Sequence, residues 1–307
     1  MIDVREFVPR DSLYLLESSA QAEFLRASGM LVYSRGELRA SMADVFLQYA
    51  GLYHLFQVSN ALQVCVADEQ ALRVLPAEAR EVLLQEQVRL NRGYVFDAEW
   101  LASLGEEFAE ESKHLLETSG VSVEGRRFVV LTREIWDGLR AEFRQAWFEQ
   151  QVAQLAAQYP QETLPEDFEW SERISEGQRA LIRQYAGRTA ERSGPNCFAG
   201  AIGAAAGTSA SHAILRQWLH PEPFWRMLAD LGYVRVEANV QAGDVLVWRG
   251  RDEEAIHAAF VIDEGLLFQK HGQHWFDPWM VVKFATVEDY AESVSSGGRI
   301  EVYRREA

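Results

Sequence analysis

Cysteine is nearly missing from this chain: Cys65 and Cys197 are the only two among 307 residues. They stand in segments of different character, so no disulfide framework is expected and a reducing, cytoplasmic setting is the expectation. Lysine is almost as scarce, three residues against 27 arginines, a pattern expected of G+C-rich coding rather than of a binding surface. Positive charge is short overall. The formal net charge is −16, and residues 1–160 alone carry 24 acidic against 15 basic side chains. Nucleic-acid binding releases counterions only against a basic surface, so this balance argues against nucleic acid and against an anionic membrane as partners. No window approaches 18 consecutive apolar residues, which argues against a membrane span. The early run Leu13-Tyr14-Leu15-Leu16 is too short for the core of a signal peptide. There is no repeat of fixed period and no low-complexity tract.

What is present is apolar mass, 48% of the residues, enough for a sizeable core in a chain longer than one typical domain. Residues 1–160 read as a mainly helical domain. Helical periodicity covers 12–26, 42–56, the stretch behind Pro76 that Asn91-Arg92-Gly93 stops, 97–116 and 132–159. Residues 126–132 alone read as a short strand. Around Tyr159 the periodicity stops: residues 159–172 hold two prolines and five acids, and 161–171 read as a linker or a wrapping loop. From residue 172 to 307 the pattern is α+β. It begins with a helix over 175–190, a small-residue helix from Cys197 to about Gly207, and amphipathic helices over 212–219 and 221–231. Six short β-branched or aromatic-rich strands follow from Tyr233 onward.

The sharpest chemical signal lies in Ser193-Gly194-Pro195-Asn196-Cys197-Phe198-Ala199-Gly200. Ser193 or Asn196 can cap a helix, which puts Cys197 in its first turn, where unpaired N–H groups and the helix dipole favour thiolate over thiol. The same N–H groups suit an oxyanion. Gly200, Gly203, Ala204 and Gly207 give this helix a nearly bare face for close packing on a sheet. His257 opens an apolar strand flanked by alanines and is the candidate base. On the next strand Gln269 and His271 share one face by alternation, and either can hold the second imidazole nitrogen and fix the tautomer.

These residues resemble a known family. Cys at a helix start, then Gly243-Asp244-Val245-Leu246-Val247-Trp248, then His257-Ala258 and a strand closing on Gly265, look like the NlpC-like family of papain-type cysteine peptidases and amidases. The resemblance covers about residues 172–290, and the order of Cys before His matches the unpermuted form. It implies a papain-like domain with helices packed on an antiparallel sheet, Cys197 as nucleophile, His257 as base and, by the family's spacing, Gln269 as third residue. Asn196 and Trp248 are the residues expected beside the substrate. The family usually carries Asp before the Cys and Ser after it, where Asn196 and Phe198 stand here.

The expected activity is therefore amide or peptide hydrolysis through a thioacyl intermediate, on cell-wall-derived peptides or another small amide or ester, with no cofactor. The alternative is the same fold without catalysis, serving binding or regulation. No metal site is expected: His271, His274 and Asp277 lie close in sequence, but in a Gly-containing loop with no helix to hold both rings on one face. Cys65, within Ala-Leu-Gln-Val-Cys-Val-Ala, reads as a core residue.

Overall fold

The computed structural model describes residues 8, 11–34, 37, 63–90, 94–158, 161–191, 194–250, 253–263, 265–272, 275–288 and 299–306. The chain divides into two units, Met1–Ala153 and Gln154–Ala307.

The first unit runs β1 (Asp11–Leu16), α1 (Ser19–Ala27), β2 (Leu31–Ser34), β3 (Gln63–Asp68), α2 (Glu69–Val74), α3 (Ala77–Arg89), β4 (Val95–Asp97) and α4 (Ala98–Ala102). After a 3-10 turn at Glu106–Phe108 come α5 (Ala109–Ser119), β5 (Gly120–Val123), β6 (Arg126–Val130), α6 (Arg133–Gly138) and α7 (Ala141–Gln158), the last crossing the division. Two three-stranded antiparallel sheets are present, in the orders β1-β3-β2 and β4-β6-β5. Helix still predominates among the described residues of 1–160, but the two sheets, of which only β6 was expected, stand beside it.

The reason is local. Leu13, Tyr14, Leu15 and Leu16 are all buried, and a short apolar run with both faces covered carries no period that separates strand from helix. Helix starts only at Ser19, where the Ser18 side chain accepts from the Gln21 amide. The helix expected over 97–116 is broken. Asp97 ends β4 and caps α4 through the Trp100 amide, and Gly105, at φ +122°, makes a turn that an L side chain would strain. The expected strand at 126–132 is β6. The helix expected at 42–56 and its proposed stop signal at 91–93 lie outside the described residues. Cys65 sits in β3 with no exposure, its thiol pushed up to about 12 by burial.

The second unit runs α8 (Glu176–Tyr185), α9 (Cys197–Ala206), α10 (Ser211–Leu215), α11 (Pro221–Asp230), β7 (Tyr233–Val236), β8 (Val245–Arg249), β9 (Ala255–Asp263), β10 (Leu266–Lys270), β11 (Trp279–Lys283) and β12 (Arg299–Arg305). The strands form one antiparallel sheet, β11-β10-β9-β8-β12-β7. Alternation sorts its side chains between two cores. Val245, Val247, Ala258, Phe260, Ile262, Phe268, Trp279 and Val281 pack with the helices, Cys197 among them. Leu246, Trp248, Ala259, Val261, Leu267, Met280 and Val282 form the core on the opposite face.

Residues 161–171 are not a free linker. The Glu162 amide donates to the Val281 carbonyl at 2.7 Å, Arg183 donates to the carbonyls of Pro165 and Glu166, and Leu164, Phe168 and Trp170 pack on the helical core. Asp244 closes its own turn by accepting from the Gln241 amide at 2.9 Å, and it takes two bonds from Arg304, at 2.9 and 2.8 Å, that tie β12 to the start of β8.

Candidate active site

Asn196 starts the site by ending the loop before α9. Its backbone is extended and its Oδ1 accepts from the Ala199 amide at 3.2 Å, which makes Cys197 the first helical residue. The same Oδ1 accepts from the Leu219 amide at 3.3 Å, and Nδ2 donates to the Leu219 carbonyl at 2.8 Å. Asn196, expected beside a substrate, is a buried cap that pins α9 to the segment after α10. Ser193, the other candidate cap, lies outside the described residues. Asn196→Ala should cost about 2–4 kcal/mol, because a cap is lost and the buried Leu219 groups lose their partner. Urea unfolding of the variant checks this, and a change under 1 kcal/mol would contradict it.

The glycines of α9 divide their work. A Cβ on Gly200 would lie 3.4 Å from the Lys270 amide, so this turn rests on the backbone of β10. Gly203 faces Leu215 of α10 rather than the sheet, and Gly207 ends the helix in the left-handed region at φ +57°. The bare face foreseen as one stripe therefore serves three neighbours.

Cys197 is 8% exposed. Burial pushes its thiol up to about 11, while the backbone N–H groups of Ala258, Phe198 and Cys197 itself and the Lys270 charge pull the other way. A thiolate at rest, expected from the helix start alone, is not favoured: desolvation outweighs the dipole.

His257 is 3% exposed and stands opposite Trp248 in the β8–β9 ladder. Its Nε2 and the Gln269 Oε1 are 2.5 Å apart. An amide oxygen only accepts, so Nε2 carries the proton and the lone pair is on Nδ1. Of the two candidates for the third position, Gln269 is bonded to the imidazole. His271 is placed by its neighbours Asp277, His257 and Lys270, whose charges act on it. Trp248 packs edge-on against His257, ring centroids 5.2 Å apart, and its buried Nε1 has no hydrogen-bond partner.

Alternation places His257 and Gln269 on one face of the sheet, and Ala258 and Lys270 on the face that α9 covers. The β9–β10 ladder ends at Phe260–Phe268. Beyond that pair, the sulfur comes to the Ala258 backbone from the α9 side, while the imidazole of the preceding residue bridges to Gln269 on the other. Thiol and imidazole therefore stand at neighbouring residues of β9, on its two sides.

Burial holds both His257 and His271 down to about 4. A folded-state value below the unfolded one means that acid protonates the unfolded chain first, so stability is full above about pH 6.5 and falls as pH drops toward 4. For His257 the loss is on the order of 3 kcal/mol. His257→Asn should flatten part of that fall in urea midpoints compared at the two pH values. An unchanged fall would contradict the assignment.

Sequence reasoning missed Lys270 as a site residue and considered Asp277 only as a metal ligand. Lys270 has no exposure; its Nζ donates to the Gly272 carbonyl at 2.7 Å and lies 5.9 Å from the centre of the Trp279 ring. Strand alternation was the available signal, since Lys270 falls on the same face as Phe268. Asp277 is buried over Gly272, where a Cβ would come within 2.3 Å of its Oδ2. Among the described residues no three His, Cys, Asp or Glu side chains converge as a metal site; His274 lies outside them. No described helix is long and apolar enough to cross a membrane.

Comparison of the chain with protein-family models, curated proteins and solved structures returns no match.

Proposed function

We propose that the second unit is a papain-like cysteine hydrolase of small amides or peptides, with Cys197 as nucleophile, His257 as base and Gln269 as the residue that orients the base. The observation that carries this reading is the His257–Gln269 bond. It is consistent with the proton on Nε2 and the basic lone pair on Nδ1, one residue along β9 from the Ala258 backbone that the Cys197 sulfur meets. The resemblance to NlpC-like peptidases supports the same roles.

In this reading both groups rest neutral, because burial penalises each charge alone. For the reaction the imidazole must come round β9 to the α9 side, where Nδ1 takes the thiol proton as the sulfur attacks the carbonyl carbon, so that the two charges form together and stabilise each other. The oxyanion is received at the first turn of α9, where the Cys197 and Phe198 amides face the sulfur and the Ala199 amide is held by Asn196. Collapse expels the amine with the proton from Nδ1, and water then resolves the thioacyl group by the same route. The unpaired Nε1–H of Trp248 is the donor a substrate carbonyl would meet beside the base.

A second reading, a non-catalytic binding or regulatory module, is favoured by one observation: Cys197, His257 and Trp248 are all buried. A screen of muropeptides and acyl amides, run alongside labelling with cysteine-directed acyl electrophiles, separates the two. Turnover that requires Cys197 supports the hydrolase, and an inert Cys197 with no turnover supports the module.

A further inference from the structure

Lysine is rare here, yet one of the three is fully buried. Lys113 and Lys283 are exposed, whereas Lys270 sits inside the second unit at the last position of β10. Burying an ammonium is expensive unless its charge is compensated. A chain that uses arginine almost throughout has placed here the cation whose proton is the more easily lost.

The surroundings say what the charge addresses. Continuing the β9–β10 register two residues past Phe260–Phe268 sets Lys270 opposite Ala258, the residue whose backbone meets the Cys197 sulfur. Gly200, one turn along α9 from Cys197, lies against the Lys270 amide and Cβ. The stem therefore runs beneath the start of α9, with Nζ anchored on the Gly272 carbonyl and beside the Trp279 ring. The charged and titratable groups acting on it include Asp277 from the loop before β11 and Cys197 from α9. Its own charge acts in turn on Cys197 and on the adjacent His271. His257 stands on the opposite face of the sheet.

We infer that Lys270 is a positioning residue for Cys197, its buried ammonium supplying the positive charge against which the thiolate forms. The inference rests on Cys197 being the nucleophile of the proposed hydrolase, and it adds a charge that the Cys–His–Gln arrangement does not contain. It also carries a pH signature. Burial lowers Lys270 to about 8, with Asp277 and Cys197 opposing, whereas the thiol lies higher, at about 11. The ammonium therefore helps the thiolate below about pH 8 and ceases to help above it.

The test is the rate of Cys197 alkylation by iodoacetamide against pH, read by peptide mass spectrometry in the full chain, which needs no substrate. The wild-type rate should rise tenfold per pH unit up to about pH 8 and then flatten as Lys270 loses its proton. Lys270→Met should be about tenfold slower near pH 7 and rise without a bend. Lys270→Arg, charged throughout, should match the wild type near pH 7, overtake it above pH 8 and show no bend. If Lys270→Met does not fold, the bend in wild type and its absence in Lys270→Arg carry the test. Superimposable profiles for wild type and Lys270→Arg would overturn the inference. The hydrolase reading fails separately, if His257→Ala leaves acyl transfer to Cys197 unchanged.

Discussion

Cys197→Ala and His257→Ala should each lower turnover of an amide substrate by a factor on the order of 10⁴ or more, and the double variant should be no worse than either. The roles are sequential in one proton path: without the sulfur the base has nothing to deprotonate, and without the base a thiol held near 11 stays protonated at neutral pH. Residues that act as a unit lose their effect together. Steady-state rates for the four proteins check this. Losses that multiply in the double variant would mean that Cys197 and His257 act independently. The fold should survive both changes, because the His257 ring touches Gln269 and Trp248 at a strand end and Cys197 contributes only a small side chain to its core.

Gln269→Ala should lower kcat by about 10–100-fold with little change in Tm, because it removes the bond that holds the proton on Nε2 and the lone pair on Nδ1. Without that acceptor the imidazole can adopt the other tautomer, which presents a proton rather than a base to the sulfur. His271→Ala should cost much less, since the Gln269 amide oxygen accepts from the ring. Comparing kcat and thermal midpoints of the two variants decides it. A large loss in His271→Ala beside a mild one in Gln269→Ala would move the orienting role to His271. Equal and mild losses would leave a dyad.

The second unit was largely legible in the sequence. Its six strands and a cap on α9 at Ser193 or Asn196 follow from short-range signals, Gly and Asp at turns and a polar residue ahead of a small-residue run, whereas alternation along β10 left Gln269 and His271 both open and only the resemblance favoured Gln269. The first unit was much less so. β1 and β3 carry apolar residues on both faces, and a short run of that kind holds no period, so Leu13–Leu16 was absorbed into the helix that begins after it. Burial was the other hidden quantity. The helix start of Cys197 argues for a thiolate, but how far desolvation opposes it depends on packing from β9, β10 and the loop before β11. Lys270 was only partly legible: alternation along β10 puts it on the face of Phe268, but its meaning comes from Gly200 and Ala258, neither near it in sequence.

The most direct measurement is the trapping of the thioacyl intermediate. The full chain is mixed with a p-nitrophenyl acyl ester, quenched in acid and mapped by peptide mass spectrometry, for the wild type and His257→Ala. The account predicts an acyl group on the peptide carrying Cys197, formed at least about 100-fold more slowly in His257→Ala. An unacylated Cys197, or one acylated at the same rate in both proteins, would contradict it.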